Sequence, residues 1–189
     1  PLQDVYDVDS EPMYVGRIES GSLSVGDEVV ALPGNDIATI SSVEIWNDTR
    51  EEAGVGESVG LRIATEAKLA RGSVLSKSPL PKLGKTVLAT LFWMDPRPLS
   101  ACKSLQLKCA TQEVPCKIEE IERRFNSSTL ELIEENASEL AESEVGEVKL
   151  VLEREVVYEL FHEVEELGRF VLLFENQIVA GGIINECPS

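Results

Sequence analysis

The only histidine, His162, is the natural first candidate for acid–base or nucleophilic chemistry, because imidazole titrates nearest neutral pH. It stands in ELFHEVEEL among carboxylates, with no obvious serine or cysteine partner to activate, and the G-x-S-x-G pattern that presents a nucleophilic serine is missing. His162 is therefore expected to be a surface or partly buried residue. The four cysteines, Cys102, Cys109, Cys116 and Cys187, contain no C-x-x-C pair, and His162 is far in sequence from the first three, so no metal-ligand spacing exists. Cys109 continues the alternation Leu105, Leu107, and Cys116 falls between Val114 and Ile118, so both are expected as reduced thiols in a core. Neither G-x-x-x-x-G-K-[ST] nor G-x-G-x-x-G occurs, which removes the usual cradle for nucleotide phosphates. Gly181 and Gly182 in IVAGGII lie between apolar strand residues with no helix start after them, which points to close packing or a bulge. No catalytic residue, cofactor-binding residue or metal ligand is expected in this chain.

Binding chemistry is better represented. Trp46, Trp93 and Met94 each sit at or near the end of a strand-like run, where a large side chain covers a barrel mouth or faces another domain; core packing is the alternative reading. On chemical type these three are the candidate contact residues. The 34 Asp and Glu against 17 Lys and Arg give a formal charge of −17. Nucleic acids are held mainly by cations on their phosphates, so a nucleic-acid partner is not expected; the acidic excess serves solubility or steering toward a basic protein surface. Carboxylates this numerous are read as a solvated face, not as acid–base pairs. No run approaches the roughly 20 apolar residues of a membrane helix, and PLQDVYDVDS lacks the features of a signal peptide, so a cytoplasmic location is the default. The chain opens at Pro1 and runs directly into a strand-like segment, which reads as a piece of a longer polypeptide.

The elements that must position these residues are short strands. Val, Ile and Leu recur in brief runs separated by Gly, Pro, Asn and Ser, and aromatic content is low at 5%. SVGLRIA alternates Val59, Leu61 and Ile63 against Ser58, Gly60 and Arg62; further strands are expected at 27–32, 38–46 and 72–75. SKSPLPKLGK interrupts every periodicity with two prolines and a glycine and reads as a short, fairly rigid linker. Beyond it, strands are expected at 85–94, 104–109, 113–124, 147–152, 170–174 and 177–184. EENASELAESEVGE reads as a helix or as a solvated acidic loop. The expected fold is all-β: two small closed β-barrels of short antiparallel strands in tandem, residues 1–77 and 86–189, joined by a linker at 78–85.

PLQDVYDVDSEPMYVGRIESGSLSVGDEVVALPG, followed by GVGESVGLRIA and ARGSVL, resembles the second domain of the elongation factor Tu superfamily of GTPases. The stretch from Leu83, ending in GRFVLLFENQIVAGGII, is similar to the third domain with its Gly-Arg-Phe closing hairpin. The resemblance implies that Gly16, Gly21, Gly26 and Gly72 make barrel turns. Within the superfamily, Trp93, Met94, Pro98, Leu99, Leu107, Lys108, Thr111, Val114, Pro115 and Ile118 match the GTPase subunit of bacterial sulfate adenylyltransferase, and Glu144, Val145 and Gly146 match a later segment. EREVVYELFHEVEELG departs from the proline-containing segment of that family, which leaves room for a divergent paralogue. The resemblance implies a parent that binds GTP and magnesium in a domain with no counterpart here, and as partners that GTPase domain and a separate catalytic adenylyltransferase subunit. Two other readings stay open: barrels of a translation elongation or release factor-like GTPase binding tRNA or the ribosome, and a stand-alone interaction module.

Overall fold

The computed structural model describes residues 1–46 and 48–186, and Cys187 lies outside them. The chain forms two compact units, Pro1–Pro81 and Lys82–Ser189, each around its own apolar core. The second begins where strand β10 begins, so Lys82–Lys85, read as linker from the sequence, lie in a strand.

The first unit holds β1 (Leu2–Val8), β2 (Glu11–Arg17), β3 (Ser22–Ser24), β4 (Glu28–Leu32), β5 (Asp36–Ile45), β6 (Asp48–Arg50), β7 (Glu52–Gly54), β8 (Ser58–Ala64) and β9 (Val74–Ser76). Its main sheet runs β1-β2-β8-β5-β4-β9, with β6 added to β5 and β3 paired to β7 apart from it. Val59 and Leu61 of β8 enter the core beside Ile40 and Val43 of β5, as strand alternation requires. Two turns of one design shape this unit. In Ser24–Asp27 the Asp27 carboxylate accepts the Ser24 N–H at 2.8 Å, and in Gly54–Glu57 the Glu57 carboxylate accepts the Gly54 N–H at 2.7 Å. The left-handed third positions, Gly26 (φ 88°) and Gly56 (φ 87°), explain the glycine in each.

Two expectations are corrected here. The sheet of the first unit does not close by strand pairing; β1 is instead tied to the turn before β9, where Leu2 N donates to Ser73 O at 2.7 Å and Gly72 N donates to Leu2 O at 3.2 Å. Gly16 makes no turn: it lies inside β2, where an added Cβ would stand 2.6 Å from the Pro1 carbonyl oxygen.

The second unit holds β10 (Lys82–Trp93), β11 (Leu105–Cys109), β12 (Gln112–Asn126), β13 (Leu132–Ala137), β14 (Glu144–Tyr158), helix α1 (Glu165–Gly168), β15 (Arg169–Phe174) and β16 (Gln177–Glu186), with a 3-10 turn at Leu99–Ala101. Strands β11-β15-β16-β10-β14-β12 form a ring that the β11–β12 pairing closes, and β13 hangs from β12 outside the ring. Leu107, Cys109, Val114 and Cys116 all point into this core, as their alternation predicts. Gln112 joins strands where the ladder stops: its amide donates to Val157 O at 2.7 Å and accepts from Val157 N at 2.8 Å. EENASELAESEVGE forms neither a helix nor a loop throughout. Its first four residues end β13, its last four begin β14, and Ser138–Ser143 turns between them; pairing with β12 outweighs the helix preference of Ala and Glu.

ELFHEVEELG packs against the barrel end through Leu167, which is buried, and through Phe161 N donating to Ile184 O at 3.0 Å. The following Gly168 explains the Gly-Arg-Phe start of the closing hairpin: an added Cβ would lie 2.3 Å from the Phe161 Cα and 2.5 Å from its nitrogen. Both obstacles are backbone, so the chain itself would have to move. Gly168→Ala is expected to lower stability by about 2–3 kcal/mol, the range of an overpacked core site, measured by urea unfolding; a change under about 0.5 kcal/mol would mean that the close approach is not maintained in solution.

Candidate interaction surface

Period-two alternation along β10 decides which side chains face outward. Val87, Ala89, Leu91 and Trp93 are buried, while Phe92 and Met94 are 37% and 41% exposed. The strand registers extend this outward face around the barrel: Phe125 of β12 lies opposite Val145 of β14, Val145 opposite Phe92, Phe92 opposite Gly181 of β16, and Gly181 opposite Val171 of β15. Directly opposed residues share a face, so five strands contribute one continuous apolar row to the outer wall. Met94 borders it, its Cε 3.7 Å from where a Cβ on Gly181 would stand. The neighbouring row is polar apart from Ile183, placing Arg123, Glu147, Thr90, Ile183 and Arg169 in register. Arg123 pairs with Glu147 at 2.5 Å and lies 5.9 Å from the Phe125 ring centroid, so a charged border flanks the apolar strip.

The segment after β10 is locked. Trp93 is wholly buried, and its indole N–H donates to Arg97 O at 2.8 Å. Asp95 receives the Arg97 backbone N–H at 2.8 Å and grips the guanidinium by both oxygens, from Nε at 2.8 Å and Nη2 at 2.9 Å. That guanidinium also lies 5.0 Å from the Phe174 ring centroid and reaches Glu175 at 3.3 Å. The W-M-D-P-R-P run is therefore a rigid turn anchored by Trp93 and displaying Met94.

Of the three residues singled out by sequence, Trp93 belongs to the core and presents no surface, Met94 borders the apolar row, and Trp46 belongs to the other unit. Trp46 is 94% exposed in the turn after β5, with φ 43°. Phe92 was missed, although its parity with Met94 and its opposition to Leu91 and Trp93 were readable in the alternation.

His162 is exposed in a turn. Burial pushes the Cys109 and Cys116 thiols up to about 12, which keeps them protonated and unreactive at neutral pH. Among the described residues no group of three or more His, Cys, Asp or Glu could hold a metal ion. Helix α1 has four residues and opens with Glu165 and Glu166, whose charge repels an anion from its N-terminus. No helix in the described residues is long and apolar enough to cross a membrane.

A family model described as GTP-eEF1A C-terminal domain-like matches residues 86–185. Among curated proteins, the chain is 30% identical over 188 residues to elongation factor 1-alpha of Picrophilus torridus, covering 96% of this chain and 44% of that protein. It is also 30% identical over 161 residues to sulfate adenylyltransferase subunit 1 of Teredinibacter turnerae, covering 85% of this chain and 34% of that protein. The chain thus spans less than half the length of these relatives. Among solved structures, that of sup35 complexed with GDP has the same fold, with a TM-score of 0.88 at 17% identity over 100% of this chain and 47% of the other.

The Asp95–Arg97 grip makes a pH prediction. The Arg97 guanidinium and backbone N–H hold the Asp95 carboxyl down at about 2, below the usual carboxylate value near 3.9. A depressed folded-state value stabilises fully above the unfolded value and loses that stabilisation as pH falls toward the folded one. Stability of the wild type relative to Asp95→Asn is therefore expected to be constant above about pH 5 and to shrink between about pH 4 and pH 2, read from thermal melts. Parallel curves through that window would show that the grip does not persist in solution.

Proposed function

We propose a function from the premise that this chain belongs to the GTP-eEF1A C-terminal domain-like family: it is the non-catalytic, partner-binding half of a parent GTPase. The apolar row centred on Phe92 and bordered by Met94 carries this reading, because a rigid strip flanked by ion pairs suits protein contact and offers phosphates nothing. Trp46 is a second contact on the first unit. The parent's GTPase domain holds GTP and magnesium, and these barrels carry its state to a partner through interdomain contacts. The parent works in the cytoplasm.

For the reaction served, the GTPase subunit of a sulfate adenylyltransferase is the preferred reading. The W-M-D-P-R-P turn and the Leu107–Ile118 segment support it, as does the likeness to the Teredinibacter subunit. There the parent couples GTP hydrolysis to the activation of sulfate on a separate catalytic subunit. A translation factor-like parent is the second reading, favoured by the likeness to elongation factor 1-alpha over 96% of the chain. Charge counts against it. Most of the 17 cationic side chains, among them Arg50, Arg62, Lys82, Arg97, Arg123 and Arg124, are already paired with the chain's own carboxylates, leaving few to neutralise an RNA backbone. A stand-alone module remains the third.

Purification of the intact parent tests these readings together. A nucleotidyltransferase-like subunit is expected to co-purify, with no RNA enrichment at physiological salt. Recovery of tRNA or ribosomes without such a subunit would establish the translation reading instead, and a parent lacking a P-loop domain would establish the third.

A further inference from the structure

Strand β13 differs from the other strands of its unit. It pairs with β12 on one side only, and among the described residues no strand takes its far edge. Leu132, Ile133, Glu134, Glu135 and Asn136 are all exposed, with Leu132 at 48% and Ile133 at 45%, and Leu130 just before the strand is 75% exposed. An uncovered strand edge presents unpaired N–H and C=O groups to any extended chain that can reach it. Arg124 of β12 pairs with Glu134 at 3.2 Å and with Glu144 at 3.6 Å, and it donates to Glu139 O at 3.5 Å, tying β13 and the turn after it to the barrel.

Beside this edge the sheet has a gap. β11 pairs with β12 as far as Cys116, and pairing with β13 begins only at Ile121, opposite Ala137, so Lys117–Glu120 of β12 have no strand beside them on that edge. A cleft of about 260 Å³ opens there, lined by Leu99, Ile118, Glu119, Glu120 and Asn136 among others. Glu119 is answered by Lys149 at 3.0 Å, while Glu120 and Glu135 make no ion pair among the described residues.

We propose that the free edge of β13 and the adjoining cleft bind an extended basic segment of a partner protein, which adds itself as a further strand and places a Lys or Arg side chain among Glu119 and Glu120. Charge selects this occupant. Antiparallel self-pairing of two copies would set Glu134 and Glu135 against the same pair on the other chain, and like charges directly opposed are destabilising. A strand carrying Lys or Arg meets the same glutamates with complementary charge, and main-chain bonds supply the affinity. The site adjoins the end of the Phe92 row, since Leu132 lies opposite Phe125, and it does not depend on which reaction the parent serves.

The test uses the 189-residue chain and a fluorescein-labelled octapeptide of alternating Lys and Val, followed by anisotropy, with two further peptides N-methylated at the odd or at the even positions. A strand pairs through one edge, so one methylated peptide is expected to bind at least about tenfold more weakly and the other like the parent peptide. Glu135→Lys, with an unchanged melting temperature, is expected to weaken binding several-fold. Amide exchange on peptide addition is expected to slow within 132–137. Equal binding of both methylated peptides would reduce the attraction to charge alone and overturn the proposal. So would no saturable binding, protection confined to other strands, or a peptide-free dimer joined through β13.

Discussion

Leu91 stands between two residues without side chains, Gly146 on one neighbouring strand and Gly182 on the other, and the second barrel depends on that spacing. An added Cβ on Gly182 would lie 2.6 Å from the Phe170 ring and 2.8 Å from the Thr90 carbonyl oxygen, and one on Gly146 would lie 2.9 Å from Leu140. The two glycines let Leu91, Phe170 and Leu140 fill one layer of a six-strand ring whose interior has room only for alternating large and small residues. Because that layer fixes the inward phase of β10, it also fixes the outward phase. Phe92 and Met94 face out because Leu91 and Trp93 must face in.

The proposed function follows from this constraint. A closed barrel has little freedom to move its own side chains toward one another, and among the described residues its core is almost wholly apolar. What it offers is a stiff outer wall on which strand register aligns side chains from five strands. The Asp95–Arg97–Glu175 group with Phe174 and the Trp93 indole hold the end of β10 in one conformation, so Met94 is presented without the entropy cost of ordering a loop. Such a surface suits recognition and the transmission of a neighbour's state.

Much of this was legible in the sequence, for physical reasons that differ by residue. Leu105, Leu107 and Cys109 alternate over a strand with one wet face, so periodicity alone placed them. Trp93 and Met94 are adjacent and were treated as a pair, yet adjacency on a strand means opposite faces; phasing them against Leu91 separates core from surface. EENASELAESEVGE was misread because Glu and Ala carry helix preference, while its real determinant is pairing with β12, a non-local contact that propensity does not register. The carboxylates of Asp27 and Glu57 fold the Ser24–Asp27 and Gly54–Glu57 turns by accepting backbone N–H groups. The V-G-[DE] repeat was the available signal. Nothing in the sequence marked β13 as a free edge, since strand order becomes known only once the ring is drawn.

The central claim is that the wall around Phe92 and Met94 is a protein-binding face. The most direct measurement places a photoreactive benzophenone side chain at position 94 of the intact parent and identifies by mass spectrometry what it captures on irradiation. The account predicts a crosslink to protein, in the parent's own GTPase domain or a tightly bound partner subunit. A crosslink to RNA, or a position 94 that captures nothing in the assembled parent, would contradict it.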